Sequence, residues 1–476
     1  MKRLSRRLTL ALSLGVLVSA IALPAHTSAA PARSHTADDA NTLTILTCCG
    51  MWAGFNNPNF QGYGLIPYAR YFKTLWKQRF PNLTIHEIDA TSFSDLVAKT
   101  ILGVNSGNPP DLVGVQGQLG LLVARHAVQN LDKFYAAAHI TPSYFLLGMG
   151  DWARINGHWY AMPAAGGLGG NVFYIPQFVK AAGLDPNHVP ITWNQLWQAT
   201  QKATKWDSKG NLVRIGVKVD GYSSGNINLF CGYLAYFNPS TNKFNANLPC
   251  IKDYFRYEKR LLDFYGGVTK YNKFAAADPD IWNGYTPKAY VADGQVLFTL
   301  TGYWEGQILD QHWNLDWRLG VPITQHGTLA EWRAVTSTGQ MNVIPVGAKH
   351  TQLAWDFAKF TLFDHDYLQG PTTNTFNVAA HAQKWAQVML QNSAQVREKN
   401  HFPGNPMALA LPVVMKMAKY AAAHPSTDVA SPYYDDYMNE AWQEIEYNKM
   451  SVDQALDRAQ QLIDTKQHAL HAQFGM

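Results

Sequence analysis

Apolar segments alternate with amphipathic ones between residues 43 and 115, and this order restricts the fold more than any other feature of the chain. The segments predict strand, helix, strand, helix and strand in succession. Strands separated by helices pair in parallel, so we expect a mostly parallel sheet with helices on both faces. The predicted elements are Leu43 to Thr47, Tyr68 to Arg79, Leu83 to Ile88, Phe93 to Asn105 and Asp111 to Val115.

The first 30 residues predict a leader that is not part of the fold. Four basic residues precede an apolar stretch from Leu8 to Leu23, and small residues follow at Thr27 to Ala30. The apolar stretch is shorter than the roughly 20 residues of a membrane span, so a cleaved secretory signal is favoured over an uncleaved anchor. Ser5 to Leu10 also resembles a twin-arginine signal, which leaves the export route open.

The composition excludes a nucleic-acid partner and favours two lobes. Without the four leader cations the formal charge falls from +5 to +1, so the rest of the chain has no basic surplus. The remaining residues, about 445 in number, are too many for one hydrophobic core. Charged residues make up 15% and aromatic residues 13% of the chain, so much of the surface must be neutral polar or aromatic.

Four cysteines in an exported chain suggest a disulfide. Cys231 and Cys250 are the favoured pair because they would close one local loop; the alternative is two thiols packed as small apolar groups. Cys48 and Cys49 are adjacent and bond to each other only with strain. Neither pair has zinc or CxxC redox spacing, and the histidines form no metal motif, so we expect no cofactor and no metal.

The middle of the chain predicts a passage between two lobes. Asn156-Gly157 predicts a tight hairpin turn, and the glycine-rich stretch Gly166 to Gly170 follows it. Next come a predicted strand at Val172 to Ile175, a helix that ends at Gly183, and a helix capped by Thr192. A dinucleotide phosphate loop would need a helix directly after the glycines, but the sequence predicts a strand there. Flexible backbone where two lobes join is the favoured interpretation.

This order resembles the crossover of bacterial extracellular solute-binding proteins of the sugar-binding type, which serve ABC importers. Further segments resemble the same family in the same order, and together they cover nearly all of the chain after the leader. They are Gly107 to Val113 with Leu121 to Leu131, Ala289 to Trp304 with its Gly-x-Trp end, Gly320 to Pro322 with Ser337 to Ile344 and the helix Thr351 to Phe363, and the helical run Tyr433 to Ile463.

The resemblance implies an α/β fold of the type II periplasmic-binding-protein kind, with a ligand cleft between two lobes. We expect one lobe from residues 41–164 plus 336–370 and the other from 165–335 plus 371–476, with crossings near Met162 to Gly170, Val335 to Gly339 and Gly370 to Phe376. The implied partners are a mono- or oligosaccharide and a membrane permease, and the protein is expected to be a monomer. No cysteine follows the apolar leader stretch, so we expect a periplasmic or cell-surface location without lipid attachment.

Sugars present flat apolar faces and hydroxyl edges, so a sugar receptor needs aromatic rings and hydrogen-bonding side chains. In open α/β sheets ligands gather at the carboxyl ends of the strands. The resemblance assigns the stacking role to Trp304. The candidate residues at such loop positions are Trp52, Gln116, Gln118, Asn226, Asn228, Tyr303, Trp304, Glu305 and Gln340.

A secreted serine hydrolase or glycosidase is the alternative function. Gly221 to Gly225 fits the Gly-x-Ser-x-Gly pattern, with Ser223 as the nucleophile, after the predicted strand Leu212 to Val219. Against this, Asp220 interrupts the strand and no His-Gly-Gly segment precedes it. A glycosidase needs two carboxylates at a defined separation, which a sequence does not give. The sequence therefore favours a receptor that is not an enzyme.

Overall fold

A computed structural model describes most of the chain after residue 40. The described residues are 41–48, 78–90, 93–115, 117–145, 149–165, 169–232, 235–238, 240–276, 290–328, 331, 340–362, 382–418 and 428–475. The described residues belong to one compact unit. Most of the predicted helix Tyr68 to Arg79, the predicted leader and most of the predicted crossing segments lie outside the described residues.

The elements up to residue 165 include the three predicted strands and the helix that the sequence predicts at Phe93 to Asn105. They are β1 (Thr42–Cys48), β2 (Thr84–Ala90), α1 (Phe93–Asn105), β3 (Leu112–Val115), α2 (Leu119–Ala124), α3 (Asp132–Ala137), α4 (Met149–Trp152), β4 (Arg154–Ile155), β5 (His158–Trp159) and β6 (Met162–Ala165).

From residue 171 onward, strands and helices again alternate before the chain ends in helices. The elements are β7 (Asn171–Tyr174), α5 (Pro176–Ala181), α6 (Trp193–Ala203), β8 (Lys205–Trp206), β9 (Leu212–Val217), α7 (Ser224–Cys231), β10 (Phe237–Asn238), β11 (Lys243–Phe244), α8 (Pro249–Phe264), α9 (Val268–Ala275), β12 (Val296–Thr301), α10 (Tyr303–His312), β13 (Arg318–Pro322), β14 (Gln340–Val343), α11 (Thr351–Leu362), α12 (Ala382–Lys399), α13 (Met407–Ala418), α14 (Ser431–Glu446) and α15 (Val452–Phe474).

The first sheet has five strands in the order β2-β1-β3-β14-β6. β1 pairs in parallel with β2 and β3, whereas β14 runs antiparallel to β3 and β6. Leu43, Ile45, Leu112 and Val113 are almost fully buried, as expected for strands with both faces covered. The predicted parallel sheet is therefore confirmed for β1, β2 and β3.

The second sheet has five strands in the order β13-β7-β12-β9-β8. β12 lies parallel to β9 and antiparallel to β7. Val217, the last residue of β9, pairs with Phe298, and Thr301, the last residue of β12, pairs with Asn171 at the start of β7. The beginning of β7 therefore lies at the carboxyl edge of this sheet.

Several locally determined features agree with the sequence. The β4–β5 hairpin turns at Asn156 and Gly157, with φ of 52° and 85°, which two-residue primed turns require. Thr192 caps α6 in a reciprocal capping box with Gln195. The predicted C-terminal helical run Tyr433 to Ile463 consists of two helices, α14 and α15, which are separated at Tyr447 to Ser451.

The expected disulfide between Cys231 and Cys250 is not formed, because both thiols are free. They lie at the end of α7 and the start of α8, as neighbours. A hydrogen bond between the two sulfur groups raises the pKa of Cys231 and lowers the pKa of Cys250. Both thiols are partly buried, which agrees with the alternative of packed thiols.

Candidate ligand-binding site

A short link joins the carboxyl edges of the two sheets. Ala165, the last residue of β6, pairs with Gln340 at the start of β14, and Met341 pairs with Val115 at the end of β3. Asn171 lies at the carboxyl edge of the second sheet. Only residues 166–170 separate Ala165 from Asn171, so these two edges lie within roughly 20 Å of each other along the chain.

The nine predicted site residues fall into three groups. Trp52 and Gln116 lie outside the described residues. Gln118 is half-buried at the N-terminus of α2, directly after β3, and Gln340 begins β14 at the same sheet edge. The remaining five follow β9 and β12 in the second sheet and are Asn226, Asn228, Tyr303, Trp304 and Glu305.

The sequence predicts that Tyr303, Trp304 and Glu305 lie at the end of a strand, but the structure places them in a helix. β12 ends at Thr301, Gly302 caps the next helix, and the three residues form the first turn of α10. The side chain of Glu305 is 4% exposed and accepts a hydrogen bond from the Thr299 hydroxyl. An acidic residue in the first turn complements the helix dipole, which accounts for a helix at this point. Glu305 therefore has a local structural role.

Asn226 and Asn228 lie on α7 and differ in their surroundings. Asn226 is buried and its Nδ2 donates to Asp220 Oδ2 at 2.7 Å. Asn228 is fully buried, and both of its amide atoms have no hydrogen-bond partner in the described part of the chain. Their roles in ligand binding, like those of the other seven, stay predictions.

Ser223 caps a helix. Its side-chain oxygen accepts a hydrogen bond from the backbone N–H of Asn226 at 3.3 Å, and α7 begins at the next residue. The Gly-x-Ser-x-Gly pattern is therefore explained here by helix capping.

Replacing Ser223 by alanine should lower the free energy of unfolding by about 0.5–2 kcal/mol, because the N–H of Asn226 loses its acceptor. Urea unfolding of both proteins measures this difference. We also expect neither protein to react with a fluorophosphonate. Labelling of the wild type that disappears in the variant would instead identify Ser223 as an activated nucleophile.

Asp220 and Tyr222 lie in the loop after β9 and Asp435 lies on α14, and we call these three residues the acidic recess. The Tyr222 hydroxyl donates to Asp435 Oδ1 at 2.5 Å, which joins the loop after β9 to α14. The Tyr434 ring lies 6.1 Å from the Tyr222 ring and 5.8 Å from the Tyr236 ring. Aromatic rings and acidic oxygens thus occur together, which is the combination that hydroxylated ligands need.

The carboxyls of Asp220 and Asp435 are surrounded by protein but still reach solvent. Both residues are exposed by their accessible area. Nevertheless, loss of hydration raises the pKa of Asp220, and it raises the pKa of Asp435 to about 6 against the opposing hydrogen bond from Tyr222. Loss of hydration thus disfavours the charged form of both carboxyls.

The side chain of Glu258 on α8 binds the backbone of the loop that carries Asp220 and Tyr222. Glu258 is 2% exposed, and its Oε2 accepts hydrogen bonds from the backbone N–H groups of Asp220 at 2.9 Å and Gly221 at 3.1 Å. Gly221 has a φ of 63°, and a Cβ there would lie 2.5 Å from Nε1 of Trp442. Only glycine fits between this loop and α14.

The first sheet reaches the same helix. A Cβ on Gly117, in the loop after β3, would lie 3.9 Å from Oγ of Ser431, the first residue of α14. Asp435 follows on the next turn of that helix. The structure therefore brings the predicted residue Gln118 near the helix that carries Asp435, between the carboxyl ends of β3 and β9.

The acidic recess was missed by reasoning from the sequence. Asp220 was noticed only because it interrupts a strand pattern, and the bond between Tyr222 and Asp435 joins residues 213 positions apart. The one local indication is that Tyr434 and Asp435 place an aromatic and an acid side by side. Within the described residues, no cluster of His, Cys, Asp and Glu side chains is placed to hold a metal ion.

Comparisons with known proteins agree with this arrangement. The family model described as bacterial extracellular solute-binding protein matches residues 76–395. CpMnBP1 with mannotriose bound has a TM-score of 0.63 at 20% identity, over 89% of this chain and 99% of that chain. The binding protein from B. animalis subsp. lactis Bl-04 in complex with beta-1,6-galactobiose also has a TM-score of 0.63, at 13% identity, over 90% and 98%.

The maltose/maltodextrin-binding domain MalE from Bdellovibrio bacteriovorus, bound to maltotriose, has a TM-score of 0.60 at 15% identity, over 89% of this chain and 99% of that chain. A comparison with curated protein sequences gave no match.

The two sheets joined at their carboxyl edges define a type II periplasmic-binding-protein fold, as predicted. The chain belongs to the family of bacterial extracellular solute-binding proteins, and it is accordingly an exported protein of the periplasm or cell surface. None of the helices in the described ranges is both long and apolar enough to cross a membrane.

Proposed function

We propose that the protein is a receptor that binds a mono- or oligosaccharide between two lobes and delivers it to the permease of an ABC importer. The observation that carries this proposal is the short link between Ala165 and Asn171, which holds the carboxyl edges of both sheets close together. Ligands of open α/β sheets bind at these edges. The sugar ligands of CpMnBP1 and MalE support the same ligand class.

We further propose that each sheet is the centre of one lobe. The first lobe comprises residues 41–164 plus 336–370, and the second comprises 165–335 plus 371–476. The strand pairings support this division, because β6 and β14 belong to the first sheet while β7 and β13 belong to the second. A ligand held by both lobes favours the closed form, since only that form makes both sets of contacts.

The predicted contacts with the sugar are the nine residues from the sequence together with the acidic recess. Trp304 would stack on a sugar ring, and Gln118 and Gln340 would reach it from the first lobe. The leader is proposed to be a cleaved export signal without lipid attachment, and the protein is proposed to act as a monomer without enzymatic activity. The family, whose members bind solutes, supports the last point.

A bound sugar should raise the melting temperature of the purified protein. A ligand that binds only the folded state stabilises it by about 2.7 kcal/mol at a hundredfold excess over its dissociation constant. Thermal shift with a panel that includes mannobiose, mannotriose, galactobiose and maltotriose tests this. Peptides, polyamines and metal ions serve as the comparison group, and stabilisation by one of these instead of any sugar would contradict the proposal.

A further inference from the structure

Two thiols lie side by side where the end of α7 meets the start of α8. Cys231 is the last residue of α7, and Cys250 is the second residue of α8. The Phe230 ring packs against α8, with its centroid 5.8 Å from that of Tyr254 and 6.2 Å from that of Tyr257. Tyr254 lies one turn after Cys250 on that helix. Ring packing directly beside the thiols therefore fixes the two helix ends against each other.

The two thiols differ in how readily they ionise. The S–H group of Cys231 donates a hydrogen bond to the Cys250 sulfur, which raises the pKa of Cys231, and burial raises it further. The same hydrogen bond lowers the pKa of Cys250, as do the backbone N–H groups of Ile251 and Cys250, against the effects of burial and of the Asp253 charge. Both N–H groups belong to the first turn of α8, where a helix stabilises negative charge. Cys250 is therefore the better nucleophile, because the thiolate is the reactive form.

We propose that Cys231 and Cys250 are a redox-active pair, in which Cys250 attacks a small-molecule disulfide and Cys231 then completes a disulfide between α7 and α8. An exported chain meets an oxidising environment, where such bonds form and persist. Both thiols are only partly buried, so a small oxidant can reach them. This modification is independent of the solute that the protein binds.

The reaction consists of two exchange steps. In the first step the Cys250 thiolate bonds to one sulfur of the oxidant, the S–S bond of the oxidant breaks, and the released thiolate takes up a proton. In the second step Cys231 loses its proton and bonds to the Cys250 sulfur. The other half of the oxidant leaves as a thiolate and takes up that proton. Two protein thiols are thus oxidised, and one small-molecule disulfide is reduced to two thiols.

The new bond would close the loop of residues 231–250 and fasten the end of α7 to the start of α8. α7 begins directly after the loop that carries Asp220 and Tyr222, and Glu258 on α8 binds the backbone of that loop. Oxidation should raise the urea midpoint of unfolding, because a cross-link restricts the unfolded chain. A dithiol reductant should reverse the rise.

Oxidised glutathione is the probe, and mass spectrometry with peptide mapping is the measurement. The reference protein carries Cys48→Ser and Cys49→Ser, so that only the pair can react. We expect it to form the disulfide between Cys231 and Cys250 and to retain no glutathione. Adding Cys231→Ser should trap glutathione on Cys250. This mixed disulfide should form at least about tenfold faster than the one on Cys231 in the matched variant Cys250→Ser.

Peptide mapping of the oxidised wild type reports the same pairing without any substitution, so the test does not depend on the folding of a serine variant. Thiols at Cys231 and Cys250 that stay reduced, or that each retain glutathione without bonding to each other, would overturn the proposal. Equal rates in the two matched variants would show that Cys250 is not the attacking thiol. A disulfide that leaves the urea midpoint unchanged would show that the bond does not fasten α7 to α8.

Discussion

Replacing Arg397 by methionine should lower the free energy of unfolding by about 3–5 kcal/mol. Arg397 and Asp310 are 2% and 1% exposed and form an ion pair between α12 and α10. The guanidinium also donates to the carbonyl oxygens of Gly404 at 3.0 Å and Pro403 at 2.8 Å. Methionine would fill most of the volume, but it would leave the Asp310 carboxylate buried without its cation.

Urea unfolding at pH 7 measures this loss, and Arg256→Met is the matched control. Nη2 of Arg256 donates to both carboxylate oxygens of Asp453 at 2.8 Å, but the Arg256 side chain is 47% exposed. An exposed pair contributes little, so we expect a loss of less than about 1 kcal/mol. Losses of similar size in the two variants would show that burial does not set the strength of the pair between Arg397 and Asp310.

The ion pair between Arg397 and Asp310 also supports the candidate ligand-binding site, because α10 begins at the carboxyl edge of the second sheet. Tyr303, Trp304 and Glu305 form its first turn, and Asp310 lies farther along the same helix. Besides Arg397, Asp310 accepts hydrogen bonds from Ser393 at 2.7 Å and Trp317 at 3.0 Å. These contacts anchor the helix and thereby fix the direction in which its first turn faces.

The sequence predicted those parts of the fold that depend on near neighbours. The bounds of α1, the primed turn at Asn156 and Gly157, and the cap at Thr192 each follow from a few adjacent residues. The order of strands and helices then restricted the topology, because parallel strands need crossover connections. The start of α10 was not predicted, since an apolar and aromatic run does not show where a strand ends and a helix begins.

The candidate site was less predictable because its parts are distant in the sequence. Nothing local to Tyr222 indicates that it bonds to Asp435 on α14, and nothing local to Asp220 indicates that Glu258 holds its backbone. In the opposite direction, the pattern around Ser223 suggested a nucleophile, but the same residue type and spacing also fit a helix N-terminus. Only the contacts of Ser223 in the folded protein distinguish a nucleophile from a helix cap, and a short sequence motif does not show those contacts.

Replacing Glu258 by leucine should lower the free energy of unfolding by about 2–4 kcal/mol, because the backbone N–H groups of Asp220 and Gly221 lose their acceptor. The loop would then no longer be held in place, so sugar affinity should fall as well. Glu258→Gln is the matched variant, since its amide oxygen can still accept both hydrogen bonds. It should retain sugar binding.

The two variants should also differ in their dependence on pH. Burial, and secondarily the charge of Asp220, raises the pKa of Glu258 in the folded protein. The folded state therefore holds this proton more tightly than the unfolded state does, so the stabilisation is complete below the unfolded pKa and is lost as the pH rises through the folded pKa.

Glutamine does not ionise, so Glu258→Gln should be more stable than the wild type at pH 8, and the difference should shrink toward pH 4. Urea midpoints at pH 4, 6 and 8 measure this trend. A wild type that is more stable than Glu258→Gln at pH 8 would mean that the two backbone N–H groups favour the charged carboxylate more than burial disfavours it.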